Sequence, residues 1–377
     1  MFLHKINDKY DGTKWAVGMM SGTSMDGIDV AAVRTDGVRI LERSPGLFVP
    51  YSEEFTEKLR SILGSTEPSQ KIFAIQKELT DLHGAAFFKF VQKFTYLKGL
   101  INLIGFHGQA ILHRPPSKFP VGFRTWQIGD GALLARLTGI DVVANMREKD
   151  VMAGGEGAPL VSLYHQALAK DREKPLTIVN IGGTSNVTWL GKEGEILAFD
   201  LGPGNGLLND WMSEKARQAF DESGKTAARG HVHEDIIKTF FDSPYFSRKP
   251  PKSLDRLDYS KDIVRGLSLE DGAATLTEIA AIAIARGREF FPEPPLKWLL
   301  TGGGAHNEFL VQRLQHHLGL TPAQVQNVES VGWSSDFMEA EAWAFLAVRS
   351  RKGLPLSLPT TTGVPHAMTG GDFFKAH

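Results

Sequence analysis

The chain contains no cysteine, which excludes disulfides, thiolate nucleophiles and cysteine-based metal sites. It has no charge of one sign to spare. Forty-two Lys and Arg face 43 Asp and Glu, a net charge of -1, so no global field draws it to nucleic acid or to an anionic membrane. Long apolar runs are missing too: the longest, Ile279–Ala285, falls far short of the roughly 20 residues that cross a bilayer. The first residues, MFLHKINDKYDGTKW, lack the apolar core of a signal peptide, and the expectation is a soluble, cytoplasmic protein. The 12 histidines show no H-E-x-x-H or other ligand spacing, against a zinc site. Neither the P-loop G-x-x-x-x-G-K-[ST] nor the Rossmann G-x-G-x-x-G with its later acid occurs.

What is present is a repeated signal. Twice an apolar run ends in Gly-Thr-Ser: Ser21-Gly22-Thr23-Ser24 after Trp15–Met20, and Gly182-Gly183-Thr184-Ser185-Asn186 after Thr177–Ile181. Each is followed by a second strand-like run, Ile28–Arg34 and Val187–Leu190. A strand, a tight turn of small residues and a return strand make a hairpin whose turn exposes backbone N–H groups. The 377 residues suit about two domains, and 42% hydrophobic content suffices for two cores. Two such turns, one per half, predict two lobes each offering a phosphate clasp.

The rest of the chain fits that outline. Further strands are expected at Val38–Arg43, Ile101–Phe106, Asp141–Met146, Ile196–Phe199 and Lys297–Thr301. Apolar residues at three- and four-residue spacing predict helices over Ser52–Leu63, Gln70–Tyr96 and Glu270–Phe291. Gly131–Leu137, Leu160–Leu168, Gly206–Phe220, Asn307–Leu318 and Phe337–Arg349 are also read as helices. Ser243–Ser260 is a polar, Pro- and Lys-rich segment. The charged stretch Lys170–Lys174 with Pro175 marks the seam, dividing a lobe of residues 1–170 from one of 171–377, with the option of the last helix returning to the first lobe. Strands, helix, strand, glycine turn and helix in both halves outline a duplicated α/β fold.

Several motifs carry chemistry. In Ser21–Asp29 the small residues let N–H donors converge on phosphate oxygens, and Asp26 could hold Mg²⁺ through water; an ordinary Asp-Gly hairpin is the alternative. Thr301–Gly304 followed by Ala305-His306-Asn307 is a strand running through three glycines into a helix, which suits nucleotide contact or close packing. Asp200 ends a short strand before the rigid Gly202-Pro203-Gly204 loop, where partial desolvation would raise its pKa toward that of a useful base. A capping aspartate fits the same position. His107 and Gln109 suit sugar hydroxyls or a structural role, while Arg147 and Glu339 read by periodicity as solvated surface.

Taken in order, these stretches resemble the anhydro-N-acetylmuramic acid kinase family. The residues that carry the resemblance are Gly18–Asp29, His107-Gly108-Gln109, Gln127-Ile128-Gly129, Leu137–Ala144 and Gly157–Val161. With them go Asn180–Gly183, Phe199-Asp200, Gly202–Asn205, Gly302–Ala305, Asn307 and Met338-Glu339. The likeness spans Trp15 to Leu346. It implies a two-lobed, actin/hexokinase-like (ribonuclease H-like) α/β fold and an ATP- and Mg²⁺-dependent kinase of cell-wall recycling. Such an enzyme opens 1,6-anhydro-N-acetylmuramic acid and phosphorylates O6, giving N-acetylmuramic acid 6-phosphate and ADP.

The resemblance also assigns roles. Asp200 is the expected catalytic base. Gly22, Thr23, Ser24, Met25, Asp26, Gly27, Ile28 and Asp29, with Gly182 and Gly183, are expected at the phosphates. Gly302, Gly303, Gly304 and Asn307 are expected at the nucleoside. His107, Gln109, Arg147 and Glu339 are the expected sugar contacts, and Arg147 would suit the lactyl carboxylate through its planar fork. A homodimer is implied; nucleic acid and membrane partners are not. The chain departs from the family pattern at Asn145-Met146-Arg147, where Asp-Phe-Arg is common, at Glu156, where glutamine is usual, and at Leu254-Asp255-Arg256, where Thr-Gly-Arg is expected. The rival readings are another sugar or acyl kinase on the same scaffold and a non-enzymatic actin-like nucleotide-binding protein. A glycoside hydrolase is weaker, since it would need a second carboxylate and no phosphate turns.

Overall fold

The computed structural model describes residues 13–22, 24–122, 124–254 and 258–376. Thr23, Asp255 and Arg256 lie outside the described residues. The first half contributes strands β1 (Lys14–Ser21), β2 (Gly27–Thr35), β3 (Ile40–Arg43), β4 (Leu47–Pro50), β5 (Ile101–Arg114), β6 (Arg124–Ile128) and β7 (Asp141–Ala144). Its helices are α1 (Glu53–Arg60), α2 (Gln70–Lys93), α3 (Gly131–Thr138), α4 (Glu148–Met152) and α5 (Ser162–Leu168). The second half brings β8 (Leu176–Ile181), β9 (Thr184–Leu190), β10 (Ile196–Pro203), β11 (Lys297–Thr301) and β12 (Val325–Asn327). Helices α6 (Gly206–Ala216), α7 (Glu234–Phe241), α8 (Leu269–Arg286), α9 (Glu308–Leu318) and α10 (Met338–Arg351) accompany them, and β13 (Asp372–Phe374) closes the chain.

Sheet topology makes the duplication explicit. The first sheet contains the order β3-β2-β1-β5-β7, the second β10-β9-β8-β11-β12. In each, three consecutive strands pair antiparallel and two later strands add in parallel beside the first. That is the two-lobed actin/hexokinase-like pattern, written twice. The first sheet is extended by β4 on β2, β6 on β5 and β13 on β7.

Helix α10 lies against the first sheet, and small residues explain how closely. Gly18 and Gly105 are register partners on β1 and β5. A Cβ at Gly18 would collide with the Ala340 carbonyl, and one at Gly105 with that of Trp343. Only glycine lets the helix backbone rest on the strands there. The helix is buried almost all round, as expected of one packed on every side. One core cluster joins it to α5 and to both sheets, through Ala16, Leu103, Tyr164, Ile178, Leu299 and Phe345.

Several boundaries differ from the sequence expectations. The strand expected to stop at Phe106 continues to Arg114, because a register shift at His107 and a left-handed Gly108 (φ 69°) let β5 go on to pair with β6. The strand expected to end at Phe199 runs on to Pro203, so Asp200 sits inside β10. Met146 lies beyond β7, and α6 stops at Ala216. The edge strands β4, β6, β12 and β13 have no counterpart in the expectations.

Candidate active site

Two β-bulges adjoin candidate site residues. His107 is the extra residue where β5 slips against β1, Met19 pairing with Phe106 and Met20 with Gly108. Leu201 occupies the same place in β10, between the pairs Asp200–Asn186 and Gly202–Ser185. A bulge leaves a residue unpaired and re-aims its neighbours, and bulges recur beside active sites.

Asp200 is 6% exposed. Its Oδ2 accepts the Leu254 N–H at 2.8 Å, its own N–H donates to the Lys252 carbonyl at 3.0 Å, and its carbonyl accepts the Tyr245 hydroxyl at 2.6 Å. Burial pushes its pKa up to about 7; the Leu254 bond and the charges of Lys118 and Arg147 pull it down, and Glu156 pushes it up. A carboxyl poised there is ionised often enough to act and basic enough to take a proton. Beneath it, the Lys252 ammonium is buried among Phe290, Tyr245 and Phe199, at 4.3, 4.6 and 5.7 Å from the ring centroids. Burial, with Arg248 and Arg286, lowers its pKa to about 8.

Arg147, from the first half of the chain, precedes α4. Its Nε donates to His107 Nε2 at 3.1 Å and its Nη1 to the Gly157 carbonyl at 2.8 Å. The guanidinium lies 4.9 Å from the Trp343 ring centroid, and His107 packs on the same indole at 4.5 Å. Its charge faces Glu339 and Asp200. Asn145, at φ 55°, takes the left-handed turn that Asn tolerates, and its Nδ2 donates to Asp372 Oδ2 at 3.0 Å. Met146 is a core residue. The departure from the family triplet therefore leaves Arg147 seated.

Glu339, in the first turn of α10, accepts the Asn180 Nδ2 hydrogen bond at 3.0 Å; burial raises its pKa. Asn180 is the penultimate residue of β8 and also backs Gly302 (φ 79°), where a Cβ would strike its Oδ1. Gln109 is wholly buried, its Oε1 accepting the Ser21 hydroxyl at 2.6 Å and its Nε2 donating to the Ala110 carbonyl at 3.3 Å. Ser21 in turn accepts from the Tyr51 hydroxyl at 2.9 Å.

The glycine turns present bare backbone. A Cβ at Gly22 would meet only Ser24 Oγ at 3.6 Å, one at Gly182 only the Thr184 carbonyl at 3.4 Å, and one at Gly303 nothing within 4 Å. The Gly204 and Asn205 N–H groups tie the second turn to the Gly-Pro-Gly loop through the Gly183 and Gly182 carbonyls. Gly304 packs on Ile181, and a Cβ at Gly27 would strike Phe48. Met25 and Ile28 point into the core, and the Asn307 side chain caps α9 by accepting the Leu310 N–H at 3.0 Å. Ser24 and Asp26 are exposed, with the Ser24 hydroxyl on Asp26 Oδ1 at 2.8 Å. Nearby, burial together with Asp26, Glu339 and Asp336 pushes Asp29 up to about 8.

Sequence reasoning did not single out Lys252, Ser253, Ser117, Lys118 or His113. Lys118 pairs with Asp258, and Ser117 and Ser253 both donate to Glu156. His113 packs near the Gly157 turn, its pKa lowered to about 3 by burial and by Arg147 and Lys118. They come from separate segments, and only Lys252 and Ser253 adjoin a recognisable motif. A separate groove of about 440 Å³ is lined by Trp126, Gln127, Gly129 and Asn145 among others.

Two matching α/β lobes, glycine turns at the strand ends and a buried acid between them define a two-lobed phosphotransferase. The family model described as anhydro-N-acetylmuramic acid kinase matches residues 14–376. Curated relatives of that name include proteins of Rhodospirillum rubrum (45% identical, 97% of this chain and 96% of the relative) and Methylobacterium nodulans (46%, 94% and 98%). The chain belongs to the anhydro-N-acetylmuramic acid kinase family. Solved structures with some likeness include an activator of 2-hydroxyisocaproyl-CoA dehydratase from Clostridium difficile with bound ADPNP (13% identical, 90% of this chain and 96% of that one, TM-score 0.45).

Proposed function

We propose that this phosphotransferase uses ATP to open 1,6-anhydro-N-acetylmuramic acid and phosphorylate O6, giving N-acetylmuramic acid 6-phosphate and ADP in cell-wall recycling. The observation that carries the reading is Asp200: a buried carboxyl of the second half with a pKa near 7, close enough to Arg147 of the first half for their charges to interact. Asp200 takes a proton from water as the water oxygen bonds to the anomeric carbon. The C1–O6 bond breaks, and the released O6 electron pair attacks the γ-phosphorus as the bond to ADP breaks. Asp200 then returns its proton to solvent. Arg147 binds the lactyl carboxylate through the donors not given to His107 and Gly157, with Glu339 and His107 beside the ring. Gln109, whose amide is engaged, acts by holding Ser21 and the first hairpin.

The open backbone at Gly22 and Gly182 fits phosphate oxygens, and the Gly302–Gly304 turn with Asn307 shapes the nucleoside side. Among the described residues no group of three His, Asp or Glu is placed to hold a metal; Mg²⁺ asks for only one or two carboxylates besides phosphate and water. Asp26, exposed at the first turn, would hold it. When bound, the ion neutralises phosphate charge. The proposed lobes are residues 13–170 with α10 and β13, and residues 171–337, supported by sheet membership. A homodimer and a cytoplasmic setting, where ATP is at hand, follow from the family likeness; no described helix is long and apolar enough to cross a membrane.

A coupled ADP-release assay tests the reading. Turnover with the anhydro sugar supports it; turnover with open-chain sugars alone would replace it by another sugar kinase.

A further inference from the structure

Glu156 stands in the glycine loop of the first half of the chain, yet it grips a loop of the second. Its Oε2 accepts the Ser253 hydroxyl at 2.7 Å and the Ser117 hydroxyl at 2.8 Å. Its Oε1 lies 3.6 Å from Arg248 Nη2, and the residue is 5% exposed. The next residue along, Leu254, gives its N–H to Asp200 Oδ2. Two consecutive residues of one loop therefore each bind a different buried carboxylate, one from either half of the molecule.

We propose that Glu156 is a positioning residue for Asp200: it anchors the Ser253-Leu254 unit that holds the base, and its negative charge sustains the basicity of Asp200. This rests on reading Asp200 as the base. Among the described residues, the charged or titratable groups facing Asp200 are Lys118 after β5, Arg147 before α4, Glu156 in the glycine loop, and Tyr245 and Lys252 from the polar segment. Lys118 and Arg147 favour the ionised acid and so weaken it as a base. Glu156 is the carboxylate among them that opposes those cations. Arg248 and the two serines repay part of the cost of burying Glu156 itself. A glutamine in its place keeps an oxygen for the serine hydroxyls but supplies no charge, so charge and anchorage are separable.

The test is the pH dependence of kcat/KM for the wild type, Glu156→Gln and Glu156→Ala. With Gln, the acid limb is expected to move down by roughly one pH unit, and the plateau to fall about threefold as the base weakens. With Ala, which also removes the anchor, kcat is expected to fall roughly tenfold or more with KM for ATP unchanged. A Gln limb superimposed on the wild-type limb would overturn the electrostatic role. Wild-type kcat in Ala would overturn the anchoring role. Asp200→Asn is the control: if it keeps near-normal turnover, the base assignment itself fails. If Asp200→Asn is inactive and the Gln limb still does not move, only the role of Glu156 is lost.

Discussion

Arg147 donates its Nε–H to His107 Nε2 at 3.1 Å, and that bond fixes both the tautomer and the charge of the histidine. Nε2 accepts, so Nδ1 carries the proton, which it gives to the Gly108 carbonyl at 2.9 Å. Burial, then the Arg147 cation, hold the His107 pKa well below its ordinary value. The expected outcome is a neutral, Nδ1-protonated His107 from pH 6 to 8, read by nitrogen chemical shifts. An imidazolium signal in that range would contradict the geometry.

Arg147 itself combines a stack on Trp343 with donors in a planar fork, which lysine cannot reproduce. Arg147→Lys is expected to raise KM for the anhydro sugar by about tenfold or more, with KM for ATP unchanged. Steady-state kinetics with each substrate varied decide it, and an unchanged sugar KM would remove Arg147 from the sugar site.

Asp200→Asn is expected to retain nucleotide binding while turnover falls by about 10²–10⁴. The same variant tests the burial of the acid by stability. The folded pKa of Asp200, about 7, lies above the ordinary value of 3.8, so the folded state binds the proton more tightly than the unfolded one. The stabilisation is full below the unfolded value and is lost as pH rises through about 7. Asn carries no charge to bury. The variant should therefore melt above the wild type at pH 8, by a margin that shrinks toward pH 4. Equal margins at both pH values would show that Asp200 is not desolvated.

Gly105→Ala places a methyl against the Trp343 carbonyl of α10. Overpacking of this kind costs about 1–3 kcal/mol, so a lower midpoint in denaturant titration is expected. A wild-type midpoint would mean that the helix does not rest on β5 as described.

The duplicated frame was legible because in each half an apolar run leads through Gly-Thr-Ser into a second strand-like run, a local signal that needs no tertiary help. The Gly302–Gly304 turn and the two long helices were legible for the same reason. Strand ends were less so: β5 and β10 continue past the expected stops because bulges at His107 and Leu201 absorb the irregularity, and nothing local announces a bulge. β12 and β13, three residues each, exist only through partners distant in sequence. Lys252 reads as surface by residue type, yet is 2% exposed. The meeting of Ser117, Glu156 and Ser253 joins three segments that no spacing connects.

The most direct measurement is a crystal structure with a non-hydrolysable ATP analogue and 1,6-anhydro-N-acetylmuramic acid bound together. The account predicts the Asp200 carboxylate about 2.6–3.2 Å from a water that faces the anomeric carbon, with the γ-phosphate on the O6 side. A sugar bound away from Asp200, or an Asp200 sealed from both water and sugar, would contradict it.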